Sequence, residues 1–379
     1  MTLAAGLALI AGLNLYVDPS RRLLRRAATV DRAWSSDESL WVPDNFDERE
    51  FRAAHIRLIQ RPDLLILGSS RAMEFHSGLF ARDLRVYNSW VSAASLEDYV
   101  SSWQAIKESG KTPRFALILC DSWIFNENAP LVRWKTNARL YETFRAQQAG
   151  GAFAAAFAWA ASRVDLAGLG GEELAELFSL DALKLSIKEI RQGKVGVGSG
   201  LMEVRIMPTT AAQPDRMAWR ADGSTIYSTK QTTPHTLEEL RATAHEYASL
   251  PSVFGISRYK FSPAKAAIFA GLLRDMAAHS TRVFIIIPPY HPAVLEELAG
   301  LPSYRAALPD HERVVKDLAS SLGAEFCDAL DPARMGCAET EFLDAMHMNA
   351  ACVEKTLIRC FGNSPTWRPL LAVPPVAAR

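Results

Sequence analysis

The chain has 379 residues, 49% of them hydrophobic and 22% charged, with 21 glycines and 20 prolines, which excludes disordered and collagen-like classes. Lys plus Arg and Asp plus Glu both total 42, so no basic field exists to draw in nucleic acid, and no nucleic-acid partner is expected. The length suits one large domain or two modest ones.

From Leu3 to Val17 (LAAGLALIAGLNLYV) the chain is apolar but for Asn14, and Asp18-Pro19-Ser20 ends the run before Arg21, Arg22, Arg25 and Arg26. The run is shorter than the ~20 residues a spanning helix needs and lacks the basic start of a secretory signal. The arginines that follow favour the cytoplasmic side, opposite to the needs of an exported domain. It has no amphipathic face to lay on a soluble core. Residues 1–20 therefore read as a membrane-proximal, transmembrane-type anchor helix, with a buried first helix as the alternative.

Residues 21–60 read as a linker. LLILGSS (64–70) is a short apolar run ending in small residues, the pattern of a buried parallel strand. RVYNSW (85–90) reads as a second strand, SLEDYVSSWQAIKESG (95–110) as an amphipathic helix closing on Gly110, and RFALILCD (114–121) as a third strand. Residues 131–261 differ in texture, with Ala-rich helical stretches and polar loops, and read as a mainly helical insertion. Within it GKVGVGSG (193–200) has its lysine first rather than last, so it reads as a flexible loop and not a phosphate-binding loop. The first pattern resumes at 262: a helix over 264–279 capped by Ser262 with Pro263 at its first position, a strand RVFIIIPPY (282–290), a helix 311–323, a strand AEFCDAL (324–330) and a helix 349–361. Alternation of strands and helices predicts an α/β fold, a three-layer α/β/α domain of about five parallel strands split into 61–130 and 262–362. The Pro-rich tail, 363–379, reads as a strap or a disordered end.

The five cysteines include no Cys-x-x-Cys pair, and a disulfide such as Cys327–Cys337 stays open. The eight histidines form no His-Glu-x-x-His motif, so no metal or other cofactor is expected.

Chemistry is suggested by two short blocks. Gly68-Ser69-Ser70-Arg71 ends the first predicted strand, and in an open parallel sheet ligands bind beyond the carboxyl ends of the strands. Asp344-Ala345-Met346-His347 lies near the C-terminus, spaced so that a carboxylate can lie against its own imidazole. A serine hydroxyl needs a base to take its proton, and a histidine oriented by a carboxylate is the usual one.

These two blocks resemble those of the SGNH/GDSL hydrolase superfamily, most closely the SGNH-like proteins of cell-envelope and exopolysaccharide systems, including alginate O-acetyltransferase-like and teichoic-acid D-alanylation-like proteins. LNLYVDPS (13–20) is similar to the exit of the N-terminal helix that such proteins often carry. The resemblance implies a flavodoxin-like sheet, Ser70 as nucleophile, His347 as base and Asp344 as its partner. The family's second block is matched loosely by Asn88 to Ala93, which implies the Ala93 N–H as an oxyanion donor. In the third block Asp121 stands where the family has a donor asparagine, and a carboxylate cannot donate. Asp121, Trp123 and Asn126 are nonetheless similar to the envelope group's Asp-x-Trp-x-x-Asn variant. Arg71, Tyr290 and His291 are further candidates for the pocket wall.

The expectation is a serine-dependent O-acyltransferase, foremost for acetyl groups, or an esterase. Its substrate is an envelope or exopolysaccharide glycan or another acyl ester, and an acyl-donor membrane protein is a candidate partner. The resemblance implies anchoring in a bacterial inner membrane with the catalytic domain on the periplasmic side. The alternative is a catalytically weak polysaccharide-binding or assembly component. In geometric terms, His347 is expected within hydrogen-bond reach of Ser70 Oγ, with Asp344 on its other nitrogen, Ala93 N–H beside Ser70, and Asp121 or Asn126 bordering the cleft.

Overall fold

A computed structural model describes residues 2–17, 33–42, 48–148, 180–191, 205–209, 217–249 and 254–372. In chain order its strands are β1 (Glu38–Trp41), β2 (Leu64–Leu67), β3 (Val86–Asn88), β4 (Phe115–Leu119), β5 (Arg205–Pro208), β6 (Ala218–Arg220), β7 (Thr225–Ile226), β8 (Arg282–Ile287) and β9 (Glu325–Asp328). The longer helices are α1 (Thr2–Val17), α2 (Glu48–His55), α3 (Leu96–Glu108), α4 (Ala138–Gln148), α5 (Leu180–Arg191), α6 (Leu237–Ser249), α7 (Pro263–Ala278), α8 (Pro292–Gly300), α9 (Pro302–Ser321) and α10 (Ala350–Phe361).

The apolar runs form one five-stranded, all-parallel sheet in the order β3-β2-β4-β8-β9. Side chains alternate across a strand, and this alternation divides the core in two. Leu65, Leu67, Ala116, Ile118, Val283, Ile285 and Ile287 pack on one face against α3, α7, α8 and α9. Leu64, Ile66, Phe115, Leu117, Leu119, Phe284 and Ile286 pack on the other with Val353, Leu357 and Phe361 of α10. With both faces covered, every position of β2 and β4 is apolar and buried.

Three sequence expectations need correction. The segment 21–60, expected to be a linker, supplies β1 and α2; with β5, β6 and β7 of the segment 131–261, whose longer described elements are the helices α4, α5 and α6, it builds a second, antiparallel sheet in the order β5-β1-β6-β7. Its Leu40 and Trp219 extend the second core face. The N-terminal run is a helix, but α1 has 16 residues, and among the described residues no helix is long and apolar enough to cross a membrane. It packs against α5, where Asn14 and Ser186 form a buried side-chain hydrogen bond of 3.1 Å. Finally, the cysteines pair as Cys327–Cys360 and Cys337–Cys352, not Cys327–Cys337.

The tail is a strap over 364–372. Trp367 is buried against Phe115, Phe284 and Phe361, and backbone bonds tie Leu79 and Ala81 to Ala372 and Leu370. The readings of 18–32, of GKVGVGSG and of 373–379 lie outside the described residues.

Candidate active site

From β2 the chain first adds β3 on one side and then β4 on the other, so the connections leaving β2 and β4 diverge and open a crevice at their carboxyl ends. Ser70 leaves β2 and Asp121 leaves β4. A Cβ on Gly68 would stand 2.7 Å from Ala72 Cβ and 3.2 Å from Leu119 Cβ, so only glycine lets the chain turn this tightly against β4. The turn is a 3₁₀ helix over Ser70–Ala72 whose cap is Ser69, its hydroxyl accepting from Arg71 N–H at 3.2 Å. One serine of the pair is thus a buried cap and the other, Ser70, is the half-buried one offered to the crevice.

The base arrives on a loop. Phe342 and Met348 form an isolated antiparallel bridge, and Leu343 N–H donates to His347 carbonyl at 2.8 Å. Inside this turn Asp344 Oδ1 accepts from the backbone N–H groups of Met346 and His347 at 2.7 and 2.8 Å. That leaves the carboxylate against its own imidazole, with Nδ1 2.8 Å from Oδ2 and 2.9 Å from Oδ1. Facing two carboxylate oxygens, Nδ1 carries the proton, and Nε2 is left as an acceptor. Ser70 Oγ–H donates to it at 2.8 Å. Burial pushes the Asp344 carboxyl up, but the His347 charge, its ring hydrogen bond and the two backbone donors outweigh burial and hold it at about 2.

The loop that carries Ala93 is held by backbone bonds. The loop after β3 runs beside the end of β2, with Ser89 N–H on Ile66 carbonyl at 2.8 Å and Val91 N–H on Gly68 carbonyl at 3.2 Å. Two residues on, Ala93 adopts φ +48°, a left-handed conformation that costs a non-glycine residue ~1–2 kcal/mol. No acceptor among the described residues takes the N–H of Ser70 or of Ala93, so both remain available to an oxyanion.

The other candidates are structural. Asp121 is buried beneath Arg71: Nη1 donates to Oδ1 at 2.9 Å, Nη2 donates to Pro288 carbonyl at 2.8 Å and also to Pro289 carbonyl, and the guanidinium lies 3.9 Å over the Tyr290 ring. Burial pushes the Asp121 carboxyl up, against the pull of Arg71. Tyr290 is itself buried, its hydroxyl 3.1 Å from Ser122 Oγ. His291 is buried as the cap of α8, its Nδ1 accepting from Ala293 N–H at 3.1 Å. Asn126 donates to Phe254 carbonyl at 2.7 Å and accepts from Asn128 and Lys260 N–H. Asn88 donates to the Ala72 and Phe75 carbonyls at 2.7 and 3.1 Å, fastening the turn that carries Ser70. Arg71, Asp121, Tyr290, His291 and Asn126 are therefore pillars rather than pocket wall.

The sequence reading missed the β6–β7 hairpin. Thr225 N–H donates to Met73 carbonyl at 2.9 Å, and Asp222 Oδ2 accepts from Ser77 N–H at 2.6 Å. A Cβ on Gly223, φ +81°, would stand 2.2 Å from Asn88 carbonyl oxygen, and its own carbonyl accepts from Arg52 and Trp90. The Tyr227 side chain thereby comes beside the nucleophile's turn. Tyr227 has its hydroxyl 3.3 Å from Met73 Sδ, and burial, Glu74 and Asp344 all push its phenol up. Burial likewise raises Glu74. The signal available was Asp222-Gly223, a hairpin dipeptide.

No family model matches the chain, and no curated protein matches its sequence.

Proposed function

We propose that the chain is an SGNH-type serine acyltransferase or carboxylic ester hydrolase, with Ser70 as nucleophile, His347 as base and Asp344 as the carboxylate that orients it. The observation that carries this reading is the unbroken relay from Asp344 through both ring nitrogens of His347 to Ser70 Oγ, each step 2.8 Å. Ser70 Oγ adds to an ester carbonyl carbon while His347 Nε2 takes its proton. The ester C–O bond then breaks, and the leaving oxygen receives that proton, which leaves an acyl-serine. Water or a sugar hydroxyl gives its proton to His347 and attacks the acyl carbon, and Ser70 leaves with the proton restored. The N–H groups of Ser70 and Ala93 receive the negative oxygen at each stage.

An acylated envelope or exopolysaccharide glycan, or an acceptor sugar fed by an acyl-donor membrane protein, is the substrate class drawn from the resemblance. Two disulfides support an extracytoplasmic site of action, and apolar α1 supports a place near the membrane. A second reading, a polysaccharide-binding component with weak catalysis, is favoured by one fact: Asp121 and Asn126, the third-block candidates, are both consumed by structural bonds. Hydrolysis of p-nitrophenyl acetate separates the two. Ser70→Ala and His347→Ala should each lower kcat on the order of a thousandfold or more; undiminished turnover in either would overturn the mechanism, and absence of turnover in the wild type would favour the second reading.

A further inference from the structure

We propose that the Cys337–Cys352 disulfide positions the base, so that the candidate site assembles only after this bond has formed; the inference rests on the serine–histidine reading above. Every residue of the Asp344–His347 turn lies between the two cysteines, whose Cα atoms are 5.1 Å apart. The enclosed segment joins neither sheet. It contains one 3₁₀ turn over Glu339–Glu341 and the single bridge of Phe342 to Met348.

Those local bonds explain why Asp344 meets His347. They do not explain why His347 meets Ser70, which is 277 residues away in the chain and shares no backbone pairing with it. That distance is set by the loop's two ends. One end is Cys337, whose N–H donates to Pro332 carbonyl at 3.0 Å at the close of the short helix Pro332–Met335. The other is Cys352 in the first turn of α10, whose N–H is held by the cap Asn349 at 3.1 Å. The disulfide welds these helix ends together, and both cysteines are buried in the core face that also holds Phe342 and Met348. The other ties are noncovalent: Ala345 is buried in the first core face, Phe342 lies edge-on to His291 with ring centres 5.4 Å apart, Asn349 N–H donates to Glu341 carbonyl at 2.9 Å, and Lys355 pairs with Glu341 in a partly exposed ion pair that is a weak fixture. The second disulfide differs in place: Cys327–Cys360 joins β9 to the far end of α10 and fixes that helix on the sheet.

Reduction by a dithiol breaks the S–S bond, two protons complete the Cys337 and Cys352 thiols, and the dithiol is oxidised to its own disulfide. The loop ends then separate, and a shift of about 1 Å between base and nucleophile costs on the order of a hundredfold in rate. Cys337 and Cys352 are positioning residues, and the expected signature is a fall in kcat with KM unchanged.

The test compares Cys337→Ala/Cys352→Ala with Cys327→Ala/Cys360→Ala and with the wild type, reading amide hydrogen exchange across 342–348 and p-nitrophenyl acetate kinetics. Removing the inner bond should speed exchange of 342–348 at least tenfold while β4 stays protected, and should lower kcat at least tenfold at constant KM. Removing the outer bond should lower the unfolding midpoint and leave kcat within twofold. Unchanged exchange of 342–348 and unchanged kcat in the inner variant would overturn the proposal. Should that variant not fold, the wild type titrated with dithiothreitol serves, with alkylation mapping the thiols; kcat should fall at least tenfold with the appearance of Cys337 and Cys352 thiols, and a kcat unchanged by their appearance overturns it. A Ser70→Ala protein as active as the wild type would instead refute the serine reading, while the exchange measurement still judges what the disulfide holds.

Discussion

Asp121 shows how one substitution changes what a position does. Where the resemblance puts a donor asparagine, this chain has a carboxylate, and the carboxylate is spent on Arg71, which in turn clamps the Pro288 and Pro289 carbonyls and covers Tyr290. Asp121→Asn restores the family's donor in name but leaves a buried guanidinium without its counter-charge, a loss of ~3–5 kcal/mol. Denaturant unfolding should show that loss, and ester turnover should not rise; a rise in kcat would mean that position 121 faces the reacting oxygen after all. Asp344 makes the opposite case. Its folded value of about 2 lies below the ordinary 3.8, so its contribution is complete above about pH 4 and is lost as the pH falls through about 2. Asp344→Asn should lower kcat by a factor on the order of ten thousand, and any acid limb of the wild-type rate profile above pH 4 should remain assignable to a group other than Asp344. A pH–rate profile of wild type and variant measures both.

At the level of elements, legibility followed from where the hydrogen bonds lie. The five parallel strands begin within one residue of their expected places and end two or three residues earlier; the central ones were plain because strands buried on both faces must be apolar throughout, as LLIL and FALIL are. The helices with their own caps were equally plain: Ser262 caps α7 as its hydroxyl predicts, and α3, expected from residue 95, is capped by Ser95. α9 was half seen, since Pro309 suggests a boundary, yet the helix runs from Pro302 through it to Ser321. The antiparallel sheet was not legible, because β1 is four residues long and pairs with partners well over a hundred positions away. The same reason limits the site. The Ser70 and Asp344–His347 blocks are short and local, whereas the Arg71–Asp121 clamp, the disulfide pairing and the docking of the β6–β7 hairpin on Met73 and Ser77 depend on contacts that no local spacing encodes. The tail is a further case: Pro-rich composition leaves a strap and a disordered end equally open, and it is Trp367, filling the second core face, that makes 364–372 a strap. Trp367→Ala should cost ~3–5 kcal/mol in urea unfolding; a cost under ~1 kcal/mol would show that the strap is not part of the core.

Across the whole molecule, two of the buried histidines make stability fall on the acid side. His55 is stacked on Trp34 and His311 lies against Phe125. Burial lowers both to about 3, with Arg52 and Lys111 adding to the effect at His55. The unfolded chain binds these protons near pH 6.5 and the folded chain does not, so stability is level above that value and falls as the pH drops from 6.5 towards 3. The slope is up to about 1.4 kcal/mol per pH unit for each histidine. Denaturant midpoints taken at pH 7, 6 and 5 should decline, and His311→Phe should flatten the decline; a midpoint constant to pH 5 would contradict the neutral, buried state of both rings. The same fold places one atom, Ser70 Oγ at the end of β2, 2.8 Å from His347 Nε2 on the turn before α10. Labelling the folded protein with a serine-directed fluorophosphonate and mapping the adduct by mass spectrometry tests it most directly. One adduct is expected, on Ser70, lost in His347→Ala; an unlabelled protein, or an adduct on another serine with Ser70 unmodified, would contradict the serine nucleophile.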